Sequence, residues 1–204
     1  MPVAFSEAGS ITRVALTLPP CGSLFVIFRK TGKSGSNAST ADQPLKVLSG
    51  PWQVAFDPKW GGPESATFAT LQDWTTRPEE GIRHYSGAAV YRSAFEADTA
   101  LMRAGRRVYL DLGAVQALAE VTLNGQALGA LWTQPWRVEM TKALRPGTNE
   151  VEIRVTNLWP NRLIGDAALP QSKRFTETNI NPYKPEDPLL TSGLLGPVTL
   201  LARP

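Results

Sequence analysis

Residues 119–157, AEVTLNGQALGALWTQPWRVEMTKALRPGTNEVEIRVTN, contain the pattern that decides the fold. Apolar and polar residues alternate in AEVTLNG, in WRVEMT and in NEVEIRVTN, and this period of two is typical of half-buried β-strands. Asn124-Gly125 and Pro146-Gly147 separate these runs, and both pairs are strong turn signals. The stretch therefore predicts consecutive short strands that each bury one face.

The same alternation extends on both sides of this stretch. It occurs upstream in LSGPWQVAFDP, AAVYRSAFEA and RRVYLDLGAV, and near the C-terminus in PVTLLA. Helical patterns are scarce, and we expect only short turns in TALMRAG and FATLQDW. Many short strands at even spacing predict an all-β protein that folds as an antiparallel β-sandwich or jelly roll.

The N-terminal segment differs in composition from the rest of the chain. ITRVALTL alternates like a half-buried strand, and LFVIFRK is apolar enough to predict a fully buried one. TGKSGSNASTADQP then contains many small polar residues, as a linker does. We expect residues 1–32 to be the terminal strands of a preceding domain, residues 33–44 to be a linker, and residues 45–204 to form the β-sandwich.

Charge and cysteine content exclude several classes of protein. The net charge is only +3 and the basic residues are scattered, so we expect no nucleic-acid partner. The single cysteine excludes an internal disulfide and a zinc site built on paired cysteines. The apolar run at residues 24–28 is too short to cross a membrane, and we expect no membrane partner. The N-terminus lacks the pattern of a signal peptide, so an export signal would lie upstream.

Residues 119–157 resemble the sugar-binding, galactose-binding-like jelly roll of family two glycoside hydrolases. The resemblance rests on the Asn124-Gly125 hairpin, Gly129, the aromatic segment at residues 132–136 and the LRPGTN segment before the last strand. YSGAAVYRSAFEA is similar to the preceding strand of that family, and GLLGPVTL is similar to its closing strand.

A closer resemblance is to the C-terminal region of the α-L-rhamnosidases of glycoside hydrolase family 106. It rests on GPWQVAFDPKWGGP, DWTTRPEEGIRHYSG, TNLWPNRLIGD, NPYKPEDPLLTSGLLGPV and the earlier LPPCGSLFVIFRK. In that family the catalytic carboxylates lie on an upstream barrel, and this chain lacks the length and the strand–helix alternation of a barrel. The resemblance implies an accessory domain without catalytic residues, in a secreted or periplasmic bacterial enzyme.

The tryptophans are the first candidates for a sugar site, because aromatic rings stack on the C–H faces of pyranose rings. Trp52 and Trp136 are in phase with neighbouring apolar residues, so we expect both in the core. The others lie in turns or loops, where each either covers the core or offers a stacking platform: Trp60, Trp74, Trp132 and Trp159.

Planar polar side chains are the second component of a sugar site, because they bind hydroxyls. Asn161, Arg162 and Asp166 follow Trp159 closely, and Arg162 offers a charged fork for vicinal hydroxyls or a uronate. These three residues and the four loop tryptophans form the predicted carbohydrate-binding site. Alternatively, the polar side chains hold the loop by hydrogen bonds to the backbone, and for Asn157, which ends a strand, this structural role is the stronger interpretation.

Catalytic and metal-binding patterns are weak. Glu79 and Glu80 are adjacent, so an extended chain would turn them to opposite faces and they make a poor acid–base pair. His84 is the only histidine, and we expect a structural or surface role for it. FDPKWGGPES and TNLWPNRLIGD offer oxygen ligands for a structural calcium ion, although neither contains an Asp-x-Asp pattern. No other cofactor is expected.

Two functions follow from these observations. The first is a non-catalytic carbohydrate-binding module of a polysaccharide-degrading glycoside hydrolase, whose partner is a plant or microbial polysaccharide or oligosaccharide. The second is a structural accessory domain whose loops at residues 155–170 and 175–190 pack against the parent enzyme. Leu163, Ile164 and Leu169 favour the second function, since they are apolar residues in an expected loop.

Overall fold

The computed structural model describes residues 5–18, 20, 22–28, 42–103 and 105–203. The chain divides into two compact units, residues 1–41 and residues 42–204. No helix among the described residues is long and apolar enough to span a membrane.

Short strands dominate the secondary structure. The strands are β1 (Phe5–Ala8), β2 (Ile11–Val14), β3 (Gln43–Val47), β4 (Trp52–Ala55), β5 (Ala66–Phe68), β6 (Ala88–Ala97), β7 (Arg107–Asp111), β8 (Ala114–Gln116), β9 (Leu118–Leu123), β10 (Gln126–Leu131), β11 (Arg137–Glu139), β12 (Gly147–Thr156), β13 (Gly193–Gly196) and β14 (Thr199–Arg203). The α-helices are α1 (Glu80–Arg83) and α2 (Pro160–Ala167). Short 3-10 helices cover Pro58–Trp60, Trp74–Thr76, Thr99–Met102 and Gln171–Lys173.

The apolar run of the smaller unit is not a buried strand, and that prediction is wrong. β1 and β2 pair as an antiparallel hairpin, whereas residues 22–28 form no strand. Phe25 is 89% exposed. An apolar run is buried only where another layer covers it, and the described residues of this unit provide no such layer. Cys21 and most of the predicted linker lie outside the described residues.

The larger unit begins three residues before the predicted position. β3 starts at Gln43 and pairs with β14, so part of the expected linker is an edge strand. Asp42 precedes this strand and forms ion pairs with Arg137 and Arg203. The alternation of β3 is weak because an edge strand on the surface needs few apolar residues.

Two large antiparallel sheets dominate the larger unit, and β8 and β13 form a separate two-stranded sheet. One has six strands in the order β10-β9-β12-β6-β4-β5, and the other has four in the order β11-β7-β14-β3. β6 and β12 pair along their whole length, from Gly147 opposite Ala97 to Thr156 opposite Ala88. Alternate residues of both sheets form a single buried core. The predicted all-β antiparallel sandwich is confirmed.

The hairpin between β9 and β10 has the predicted turn. Asn124 and Gly125 both have positive φ, 51° and 79°, which two-residue hairpins need and which these residue types tolerate. The Asn124 amide donates to the Ala143 carbonyl and to the Asn149 side chain, both at 2.8 Å. The side chain therefore ties this turn to the loop that precedes β12 and to the start of β12 itself.

Helix α2 occupies a segment in which the sequence predicted a loop. Pro160 is the first helical residue, a position where its missing N–H costs nothing and its fixed φ suits the helix. The helix follows β12 directly, and its eight residues include most of the predicted polar site. It therefore determines where Asn161, Arg162 and Asp166 point.

Candidate functional site

Helix α2 turns its polar residues towards the protein interior. Asn161, Arg162 and Asp166 are buried, and so is Ile164. A sugar on the surface cannot reach Asn161 or Arg162 in this conformation. The prediction that these two residues line an open site, and the prediction that Ile164 is an interface residue, are corrected on this ground, whereas Asp166 also contributes to the lining of a cavity beside the helix. Leu163 and Leu169 are half-buried.

Asn157 and Asn161 share one hydrogen-bond network around Ser192. The Asn161 amide donates to the Leu190 carbonyl at 2.7 Å and to Ser192 Oγ at 3.0 Å, and its oxygen accepts from Leu190 N. The Asn157 amide donates to the Tyr85 carbonyl and to the same Ser192 Oγ. Both side-chain amides therefore have hydrogen-bond partners within the protein, and these bonds hold the loop around residue 190 in place.

Arg162 and Asp166 form a buried ion pair one helical turn apart. Arg162 Nε lies 3.0 Å from Asp166 Oδ1, and burial lowers the pKa of Arg162. Asp166 Oδ2 accepts from Phe175 N, Thr176 N and Thr176 Oγ1. The guanidinium also lies over the ring of Phe175, 4.8 Å from its centroid. The pair therefore fixes the segment that follows the helix.

Trp74 belongs to the core, which corrects its prediction as a sugar platform. Its side chain is fully buried, and Nε1 donates to the Tyr91 hydroxyl at 2.5 Å. Burial raises the pKa of Tyr91 to about 12. The expectation that Trp52 and Trp136 are core residues is confirmed, because both are buried.

The remaining candidate tryptophans divide into a pair and a separate residue. Trp60 and Trp159 meet edge to face, with ring centroids 5.3 Å apart and an interplanar angle of 77°. Trp159 is 53% exposed, whereas Trp60 packs partly against the core. Trp132 lies in the β10–β11 connection and is 80% exposed. Sugar binding by these three residues stays a prediction.

Leu158, which directly precedes Trp159 in the chain, shares a cavity with a second exposed leucine. Leu158 and Leu190 are exposed and line a cavity of about 300 Å³ together with Gln116, Ala117, Thr191 and Ser192. We call the surface formed by Trp60, Leu158, Trp159 and Leu190 the Trp159 face. Trp60 and Trp159 were predicted from the sequence, but the two leucines were not, since they lie 32 positions apart in the chain.

The carboxylates considered for catalysis have structural partners. Glu79 accepts from Arg77 Nε at 3.0 Å, and this hydrogen bond lowers its pKa. Glu80 instead pairs with Arg83 and approaches His84. Burial, followed by Arg162 and Arg83, lowers the pKa of His84. Glu79 and Glu80 therefore make different contacts, and Glu80 belongs to helix α1 rather than to an extended segment.

The sequence also offered oxygen ligands for a structural calcium ion. In residues 42–103 and 105–203, as in the described part of the smaller unit, no three His, Cys, Asp or Glu side chains converge to hold an ion. The predicted calcium site relied also on backbone carbonyls, and it stays a prediction.

A second cavity, of about 550 Å³, opens beside the end of helix α2. We call it the polar groove; its lining residues are Asp166, Gln171, Arg174, Thr176, Glu177, Thr178, Asn179 and Asn181. Of these lining residues, Asp166 alone was predicted from the sequence as part of a binding site. The signal was present in QSKRFTETN, residues 171–179, a polar run with no strand or helix periodicity.

The sequence of this sandwich matches a known family of protein domains. Residues 73–183 match the family model for the glycosyl hydrolase 2 galactose-binding domain-like domain. The chain belongs to this family of galactose-binding-like domains of glycoside hydrolases. The predicted resemblance to such domains is confirmed.

Two longer proteins show the extent of the similarity. The rhamnosidase from Novosphingobium sp. PP1Y matches 99% of this chain at 37% identity, with a TM-score of 0.90. A proposed beta-glucuronidase from Formosa agariphila is 36% identical over an alignment of 188 residues that covers 81% of this chain. This chain spans only 19% and 16% of their respective lengths.

A more distant structure shares the fold alone. The β-glucuronidase of Ruminococcus gnavus is 19% identical, with a TM-score of 0.58, over 78% of this chain and 28% of its own. A sandwich of the same fold thus also occurs within this larger enzyme.

Proposed function

We propose that this chain is a non-catalytic accessory domain of an α-L-rhamnosidase-like glycoside hydrolase. We further propose that its Trp159 face packs against another domain of the same enzyme. The extended similarity to the Novosphingobium rhamnosidase supports the choice of parent enzyme. The small share of that protein which the chain covers supports an accessory role.

The exposure of the Trp159 face is the observation that carries the proposal. Leu158 is 57% exposed, Trp159 is 53% exposed and Leu190 is 45% exposed. Hydrogen bonds from Ser86 Oγ to the Trp159 carbonyl and between Asn161 and the Leu190 backbone hold two of these residues in place. Contiguous exposed apolar side chains mark interaction surfaces, and tryptophan is among the residues that contribute most to binding. Packing against a neighbouring domain would remove this apolar area from water.

The polar residues behind the face support docking over sugar binding at this position. A sugar site needs unpaired polar groups beside its aromatic platform. Here the polar groups of Asn161, Arg162 and Asp166 are already bonded, either to each other or to the loops around Leu190 and Phe175. Asn161 thereby holds Leu190 of the face in place, and a pre-ordered surface loses little entropy when it binds.

An association experiment tests the proposal. Residues 1–204 are mixed with the remainder of the longer enzyme, and binding is followed by calorimetry. We expect association that the double substitution Leu158→Ser and Trp159→Ala abolishes. Trp132→Ala is the matched control, since Trp132 is a more exposed tryptophan outside the face. Equal losses for the face variant and the control would contradict docking through the Trp159 face.

A further inference from the structure

We propose that residues 24–28, LFVIF, form a β-strand that adds to a sheet in a neighbouring domain of the longer enzyme. We call these five residues the LFVIF segment. The inference rests on the first part of the proposed function, namely that the chain belongs to a longer glycoside hydrolase, and it is independent of the Trp159 face. The smaller unit thereby attaches the sandwich to its neighbour.

The LFVIF segment is the longest run of exposed large apolar side chains among the described residues. All five side chains are exposed, from 41% for Val26 to 89% for Phe25. Elsewhere in the described part of the chain, only Leu158 and Trp159 are consecutive residues of this kind. A contiguous apolar surface of this extent marks an interaction site.

The composition of the segment is typical of a strand that is covered on both faces. Successive side chains of a strand point to opposite faces, and here both faces are apolar. A strand with one solvated face alternates with polar residues, whereas a strand covered on both sides is apolar throughout. Four of the five residues are aromatic or β-branched, the types that strands favour. The partner therefore supplies a sheet and an apolar cover on each face.

The described residues of the smaller unit do not provide this environment. β1 and β2 form a two-stranded hairpin whose side chains are mostly exposed. Residues 22–28 form no strand and make no backbone hydrogen bond with the described residues of this unit. A two-stranded hairpin is marginally stable in water unless further strands or a packed layer complete it. The backbone of the segment can therefore pair with a sheet of another domain.

A neighbouring domain of the same enzyme is the partner that the similarity to known proteins favours over a second copy of this chain. The Novosphingobium rhamnosidase matches 99% of this chain, so the match includes the smaller unit, yet this chain is only 19% of that protein. The family model covers residues 73–183, which lie within the larger unit. The smaller unit is thus shared with a longer enzyme but lies outside the matched family domain, as expected of a segment that completes another domain.

Hydrogen–deuterium exchange followed by mass spectrometry tests the proposal on residues 1–204 alone and on the longer enzyme. In the isolated chain we expect the amides of the LFVIF segment to exchange as fast as those of an unfolded chain. In the longer enzyme they should exchange at least about a hundredfold more slowly, because exchange from a covered strand requires local opening. Peptides that contain Trp159 and Leu190 report on the Trp159 face separately, so failure of either proposal is recognised by itself.

Two results would overturn the proposal. The first is equally fast exchange of the LFVIF segment in both proteins. The second is slow exchange in the isolated chain that increases with protein concentration, because this would identify a second copy of the chain as the partner.

A substitution then assigns the protection to the segment. Ile27→Asp puts a carboxylate into the covered strand, so in the longer enzyme the exchange of residues 24–28 should rise at least about tenfold. The Tm of residues 1–204 should stay unchanged, because Ile27 is 63% exposed there. Ile180→Asp is the matched control, since Ile180 is 77% exposed but belongs to the larger unit. Equal exchange in the two variants of the longer enzyme would also overturn the proposal, and the wild-type comparison decides even if Ile27→Asp prevents folding.

Discussion

Arg162 and Asp166 face each other across one turn of helix α2 as a buried ion pair, with 5% and 1% of their side chains exposed. The carboxylate joins the helix to residues 175 and 176, and the guanidinium packs on Phe175. The pair therefore supports the segment that leads into the polar groove.

Removing one member of this pair should be costly. Asp166→Ala leaves the Arg162 charge buried without a partner and leaves three donors unpaired, so we expect a loss of about 3–5 kcal/mol in the free energy of unfolding. Urea denaturation followed by circular dichroism measures this loss. Glu120→Ala is the control, because its ion pair with Arg154 is about half exposed and should contribute about 0–1 kcal/mol.

A double substitution distinguishes the cost of an unpaired charge from the loss of attraction. Arg162→Met with Asp166→Leu removes both charges, so it should destabilise the chain less than Asp166→Ala alone. A double variant that is less stable than the single variant would show that the ion pair itself provides the stability.

The buried position of Arg162 and Asp166 could not be predicted from the sequence, whereas the strands could. The alternation in β6 and β12 reports a local property, namely which side of a strand is buried, and it predicted both strands correctly. The partners of Asn161 and Arg162 include Leu190 and Ser86, which are 29 and 76 positions away. No local pattern encodes such contacts, so buried polar residues in α2 resembled an exposed binding loop.

The same limit applies to the two surfaces. The composition of residues 171–179 was visible in the sequence, but their arrangement beside Asp166 depends on how the chain turns after α2. Likewise, Leu158 and Leu190 form one surface only because the Asn161 amide holds the loop around residue 190. The sequence therefore predicted which types of residue form these surfaces, but it did not predict how the residues are arranged.

Trp74 and Trp132 should respond very differently to truncation. Trp74→Ala opens a large core cavity and removes the hydrogen bond to Tyr91, so we expect a loss of about 3–5 kcal/mol. Trp132→Ala removes a solvent-exposed ring and should change stability by about 0.5 kcal/mol or less. Thermal and urea denaturation measure both. Similar losses for the two variants would contradict the placement of Trp74 in the core.

Asp42 should make stability depend on pH. The hydrogen bond from Arg203, assisted by the charge of Arg137, holds the pKa of Asp42 below its ordinary value. A lowered pKa means that the folded state favours the ionised carboxylate. Its stabilisation is therefore complete above the unfolded pKa of about 3.9 and is lost as the pH falls through the lower, folded value.

Thermal denaturation of Asp42→Asn tests this dependence. At pH 7 the variant should have a lower Tm than the wild type, because it cannot pair with Arg137 and Arg203. Below about pH 4 the difference should shrink as Asp42 in the wild type becomes protonated. A difference in Tm that stays constant from pH 7 to pH 3 would show that the charge of Asp42 is unimportant.

Docking of the Trp159 face in the parent enzyme is the central claim, and hydroxyl-radical footprinting tests it most directly. Oxidation of Leu158, Trp159 and Trp132 is compared by mass spectrometry between residues 1–204 alone and the longer enzyme. We predict that Leu158 and Trp159 are oxidised in the isolated chain and protected in the longer enzyme, while Trp132 is oxidised in both. Equal oxidation of Trp159 in the two proteins would contradict the claim.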